Sequence, residues 1–242
     1  MAKEPLNSPF PETKWTVVLK TRSNRDEPAT SGALARLCTD YWYPLYAFAR
    51  RSGQSPPDAE DATQSFFAYA LERNLFASAE PQLGRLRSFL LKAFERHIAD
   101  ATVRDGSWKR GGRCEFISIE VGEARYAAEK AEAASGFFER TWAYAVLDST
   151  LSELGVEEEA AGRGETFRVL EAFIWADVGG EAGYADAGAR LGMTEAAARQ
   201  WVGRLRGRFR EVLRRRIADT LHNPTNSQID SELATLRDAL HG

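Results

Sequence analysis

Cysteine is nearly absent: Cys38 and Cys114 are the only two, and neither has a second cysteine or a histidine close by. That excludes a disulfide framework and a zinc site, and a reduced, cytoplasmic setting is expected. Histidine is almost as scarce. His97, His222 and His241 have no carboxylate or cysteine partner at a recognisable spacing, so no metal is expected. The sequence also lacks a phosphate-binding loop, a dinucleotide glycine fingerprint, a nucleophile elbow and a metal-ligand helix. No catalytic residue, cofactor or enzyme activity is therefore expected. No run approaches the ~20 apolar residues that cross a bilayer, and the N-terminal stretch has no signal-peptide core, so no membrane partner is expected.

Net charge is small as well, at −3 over 242 residues, yet it conceals an uneven distribution. Acidic residues gather at 58–61 and 153–159, whereas arginines gather in the C-terminal part. Two faces of opposite sign meeting different partners are expected. An apolar content of 43% is sufficient for globular cores, and the length suits one or two domains.

Taken in order, the chain opens on an arm with Pro5, Pro9 and Pro11, after which Trp15, Val18 and Leu19 suit one short helix. Leu34, Leu37, Tyr41, Leu45 and Phe48 then keep helical spacing, with a kink or break expected near Tyr43 because Pro44 lacks a backbone donor. The aromatic group Tyr41, Trp42, Tyr43 and Tyr46 reads as core. Asp58 is placed to cap a helix whose inward stripe is Ala62, Phe66, Tyr69 and Ala70, with Asp61, Gln64 and Ser65 facing elsewhere. A third helix turns Leu86, Phe89, Leu90, Ala93, Phe94 and Ile98 inward, which leaves Arg85, Arg87, Lys92, Arg96 and Arg104 for solvent. Trp108, Lys109 and Arg110 follow, a stacking surface beside positive charge that suits unpaired nucleic acid. The alternation at 116–121 resembles a strand but has no partner strand in the chain, so an extended linker is expected. Beyond a break at Pro224, one or two amphipathic turns are expected through Ile229, Leu233 and Leu236.

The stretch 184–216 carries the strongest functional signal. Ala187, Gly188 and Leu191 give a first helix one inward face, Gly192 can end it in the left-handed conformation, and Met193 plugs a three-residue turn. Thr194 can cap the next helix, with Glu195 at the positive end of its dipole. Ala198, Val202, Leu205, Phe209 and Leu213 form its buried stripe. Arg199, Arg204, Arg206, Arg208, Arg210, Arg214, Arg215 and Arg216 lie off that stripe, with Glu195 and Glu211 alone opposing them. The pattern is that of a DNA-binding helix-turn-helix, whose second helix enters the major groove by its N-terminal turns. Arg199 and Gln200 are placed to read bases, and Arg206, Arg208 and Arg210 to meet phosphate.

From Phe10 almost to Leu240 the chain resembles bacterial RNA polymerase sigma factors of the extracytoplasmic-function group, in the variant with an N-terminal F-P-x-T-x-W segment and a C-terminal extension. The most specific piece is DAEDATQSFF, which is similar to the A-E-D-x-x-Q-x-x-F pattern of the second conserved region through Ala59, Glu60, Asp61, Gln64 and Phe67. RLRSFLLKAFERHIADATVR resembles the promoter-melting helix, residues 74–83 lie where the family captures a flipped base, and GARLGMTEAAARQWVGRLRGRFREVL resembles the fourth region. The resemblance implies an all-α protein of two helical domains. It divides the chain into an arm with a short helix (1–29), a domain binding polymerase and the minus-ten element (30–106), an extended linker (107–136), a helix-turn-helix domain (137–222) and an extension (223–242). Core RNA polymerase is implied as partner of Asp58, Glu60, Asp61 and Gln64. Promoter DNA, duplex and melted, is implied as partner of Arg87, Lys92, Arg96, Trp108, Lys109, Arg110, Thr194, Glu195, Arg199, Gln200, Arg204, Arg206 and Arg208. An anti-sigma factor is a further candidate partner. The alternative reading is a helix-turn-helix regulator that acts without polymerase.

Overall fold

The computed structural model describes residues 28–73, 75, 85–104, 134–175, 180–221 and 224–241, and among these it is all-helical with no strand. Several expectations lie outside the described residues: the arm with Trp15, Val18 and Leu19, most of the loop 74–83, Trp108, Lys109 and Arg110, and the alternation at 116–121. The helices are α1 Pro28–Arg51, α2 Pro56–Glu72, α3 Leu86–Arg104, α4 Ala134–Ala160, α5 Gly164–Leu170, α6 Gly180–Arg190, α7 Glu195–Asp219 and α8 Asn226–His241. A 3-10 turn, Glu171–Ile174, follows α5. No described helix is long and apolar enough to cross a membrane.

Packing divides the chain into two units at points that differ from the expected boundaries 30–106 and 137–222. One unit comprises the described residues up to Ala145 together with those from Ile217 onward, and the other is Val146–Arg216. The division falls inside α4 and near the end of α7, because apolar stripes continue along both helices while the core they serve changes. The segment 223–242, expected as a separate extension, belongs to the first unit.

In the first unit α1, α2 and α3 pack on one another. The aromatic group of α1 is core as expected: Tyr41, Trp42, Tyr43 and Tyr46 are all buried, with Trp42 stacked on Tyr46 at 5.1 Å. Of the kink or break expected near Tyr43, the break does not occur, and α1 runs through Pro44. Buried aromatics on both sides of the proline fix the local conformation, so the loss of one backbone hydrogen bond is offset by packing. Phe94 of α3 meets Phe48 of α1 and Phe66 of α2 edge-on, at 6.3 and 5.2 Å. Phe137, Phe138 and Trp142 from the start of α4 complete the core.

The unit also takes in α8, which is a full helix of 16 residues rather than a turn or two. Thr225 and Gln228 form a reciprocal cap at its start: Gln228 N donates to Thr225 Oγ1 (3.3 Å) and Thr225 N donates to Gln228 Oε1 (2.8 Å). Ile229, Glu232 and Leu236 are its buried residues.

In the second unit one cluster joins Leu154 of α4, Phe167 and Leu170 of α5, Phe173 and Ile174 of the 3-10 turn, Tyr184 and Ala187 of α6, and Ala198, Val202, Leu205 and Phe209 of α7. The expected stripe of α7 is thus buried. Leu213 packs at its edge and Val212 is buried beside it.

Candidate nucleic-acid interface

The corner between α6 and α7 is built from small residues for a steric reason. Helix α6 ends in the paired bonds that follow a left-handed residue: Met193 N donates to Gly188 O (2.9 Å), Gly192 N donates to Ala189 O (3.3 Å), and Gly192 has φ +65°. The turn folds back so closely that a β-carbon on Gly188 would lie 2.8 Å from Met193 O, a backbone atom that cannot swing away. Only glycine fits there. Thr194 caps α7 as expected, accepting from Ala197 N at 3.2 Å.

Beyond this corner α7 presents Arg199, Gln200, Arg204 and Arg210, all exposed. Arg199 gives its Nε to Glu195 Oε1 at 2.9 Å and lies 4.3 Å over the ring of Tyr184. Arg204 stacks on half-buried Trp201 at 4.4 Å. Sequence reasoning missed Tyr184. It sits on the other helix of the corner, and no spacing rule links it to Arg199.

Two arginines expected to meet phosphate have partners within the chain. Arg206 turns back to the 3-10 turn, where Nη2 donates to Phe173 O (2.8 Å) and Nε to Ile174 O (3.3 Å). It donates to carbonyls of the last residues of that turn, where side-chain donors commonly supplement the backbone pairing. Arg208 pairs with Glu157 (2.7 Å) and with Glu158 of α4. Arg215 pairs with Glu153 and Glu157, and Arg216 with Glu153. The acidic end of α4 therefore opposes the arginines in the C-terminal half of α7, where Glu195 and Glu211 alone had been expected.

This network has a pH signature. Burial pushes the Glu153 carboxyl up, but hydrogen bonds and charge from Arg215 and Arg216 outweigh it and hold the group below its ordinary value. A lowered folded value means that the stabilisation is fully present above the ordinary glutamate range and is lost as pH falls through the lowered value. Glu153→Gln is accordingly expected to lower the urea midpoint at neutral pH, with the gap to wild type closing under acid. A gap that persisted unchanged into strong acid would contradict it.

On the first unit the expected polymerase residues are close together on α2. Asp61 is exposed, and Gln64 Nε2 donates to Glu60 Oε1 at 3.0 Å. Asp58 does not cap the helix. Ser55 precedes Pro56, donates to Asp58 Oδ2 (2.5 Å) and lies 3.4 Å from Asp58 N, so serine is the cap and Asp58 its first-turn partner. The buried face of α2 is Ala59, Thr63, Phe66, Phe67 and Ala70, while Tyr69 is 38% exposed and Ala62 half-buried. Ser65 does not face away either: its hydroxyl lies 2.9 Å from His97 Nε2 on α3.

Lys92 and Arg96 are exposed one turn apart on α3. Arg87, expected beside them, is instead 2% exposed. Its Nε donates to Glu139 Oε2 at 2.5 Å, Nη1 pairs with Glu232 of α8, and the guanidinium lies 4.3 Å over the Trp142 ring. Burial pulls this guanidinium down and Glu139 pushes it back up, and an arginine so placed stays charged. It is a core residue and offers nothing to a strand of DNA. Arg85, half-buried, pairs with Glu232 at 2.8 Å.

Among the described residues no group of histidine, cysteine and acidic side chains could hold a metal ion. Compared with protein-family models, curated proteins and solved structures, the chain has no match in any of the three.

Proposed function

We propose that the chain is a sigma factor of the extracytoplasmic-function type, which directs core RNA polymerase to promoters and assists strand opening. The observation that carries the reading is the corner at Gly192: a capped, basic helix whose first turns expose Arg199, Gln200 and Arg204, backed by the buried Ala198, Val202, Leu205 and Phe209. Side chains at that end of a second helix are the ones that reach base edges in a major groove. Arg204 and Arg210 replace Arg206 and Arg208 as phosphate anchors. The exposed acid Asp61 beside Glu60 and Gln64 supports a polymerase-facing surface on α2, and Lys92 with Arg96 supports a strand-facing surface on α3. In this reading the polymerase does the chemistry, and the chain contributes position: two modules recognise two promoter elements, and binding energy is spent on opening the strands.

The test is to mix the full chain with core polymerase, measure co-elution, and transcribe a genomic library with and without it. Co-elution and new, defined start sites are expected. Charge reversal in Asp61→Lys is expected to weaken the polymerase complex by ~10-fold with the helix content intact. Duplex binding without co-elution would replace this reading with that of a regulator acting on its own.

A further inference from the structure

Arg199 is held on two sides by residues from both helices of the corner. The ring of Tyr184 lies under the guanidinium at 4.3 Å, and Glu195 takes its Nε at 2.9 Å. Tyr184 is itself fixed, buried and packed against Phe173 with ring centroids 4.6 Å apart. An arginine on an open helix surface has many rotamers to lose when it grips a base. One already stacked and paired has lost most of that freedom beforehand, so less is surrendered on binding. The pairing with Glu195 uses Nε, while an end-on grip on the O6 and N7 acceptors of guanine uses Nη1 and Nη2. The carboxylate also disfavours a nearby phosphate, which biases Arg199 toward base edges.

We propose that Tyr184 and Glu195 are positioning residues that set Arg199 as the reader of one G·C pair in duplex DNA. The inference rests on the helix-turn-helix reading given under the proposed function. It adds which base pair type is read and which residues orient the reader. A purely structural role for Tyr184 would affect stability without affecting preference at a single base pair.

The test uses the full chain. Duplexes are selected from a randomised pool with wild type, and affinities are then measured for the selected duplex and for variants at each position. One G·C pair is expected whose replacement weakens wild-type binding by roughly 5- to 150-fold. Arg199→Ala should remove that discrimination, Tyr184→Leu should reduce it several-fold, and Tyr184→Phe, which keeps the ring, should retain it. Glu195→Gln should raise affinity for all duplexes while lowering discrimination at that pair. If Tyr184→Leu fails to fold, Glu195→Gln tests the same clamp from its solvent side. Full discrimination in Tyr184→Leu, or in Glu195→Gln where the first is unfolded, alongside its loss in Arg199→Ala, overturns the inference and leaves DNA reading intact. A pool from which wild type selects nothing overturns both.

Discussion

Arg87→Ala is expected to destabilise the first unit by about 3–5 kcal/mol, because it removes one member of a buried charge group and leaves the others behind. Glu232 is 2% exposed and, among the described residues, would be left with only the half-buried Arg85 paired to it. The loss of the guanidinium stack on Trp142 adds to the cost. Arg87→Lys should recover part of the stability, since it restores charge but neither the planar fork nor the stack. Arg87→Met combined with Glu232→Gln should recover more than either single change, because no charge then stays unpaired on α8. Urea midpoints of wild type and these five variants decide the matter, and an Arg87→Ala loss under about 1 kcal/mol would contradict a buried, paired Arg87.

Leu205→Asp is expected to unfold the second unit outright. Leu205 is 1% exposed at the centre of the cluster joining α4 to α7. Truncating such a leucine costs about 2–5 kcal/mol in lost contacts, and a carboxylate in the space adds several kcal/mol more unless it protonates. The sum is comparable to the whole stability of a small domain. Phe209→Asp should act in the same direction and also strip Trp175 of its edge-on partner at 4.9 Å. Hydrogen exchange resolved by segment is the measurement: protection should vanish across α6 and α7. Retained protection there would mean that the stripe is not holding the unit together.

The helices and the corner were legible because local rules decide them. Gly192 and Thr194 are the residues a helix stop and a helix start require, and both do what their types predict. Leu205 and Phe209 lie on a stripe that spacing alone identifies. The charged side chains were less legible, because their partners come from distant parts of the chain. Arg87 is three residues before Leu90 and seven before Phe94, so its position was an inward one from the start; a solvent assignment followed residue type and ignored register. Glu232 has the same place between Ile229 and Leu236 on α8. Glu158 has it after Leu154 on α4, buried and paired with Arg163 and Arg208. A charge in core register is a signal that an opposite charge exists elsewhere in the chain, but it does not say where. Arg206 shows a second limit: its partners are carbonyl groups, which no side-chain pattern reveals.

The return of α8 to the first unit bears on the order in which the protein can be made. Domains commonly fold one after another as the ribosome delivers them, the N-terminal one first. Here the chain leaves the first unit within α4 and comes back to it only at Ile217. Helices α1 to α3 must therefore wait, with Arg87 lacking Glu232 and the surfaces under Ile229 and Leu236 uncovered, while the whole second unit is synthesised. Residues 146–216 have their core complete before the unit that begins upstream of them has its own. A nascent chain of this kind exposes its first core longest, and that interval is when a chaperone would find it.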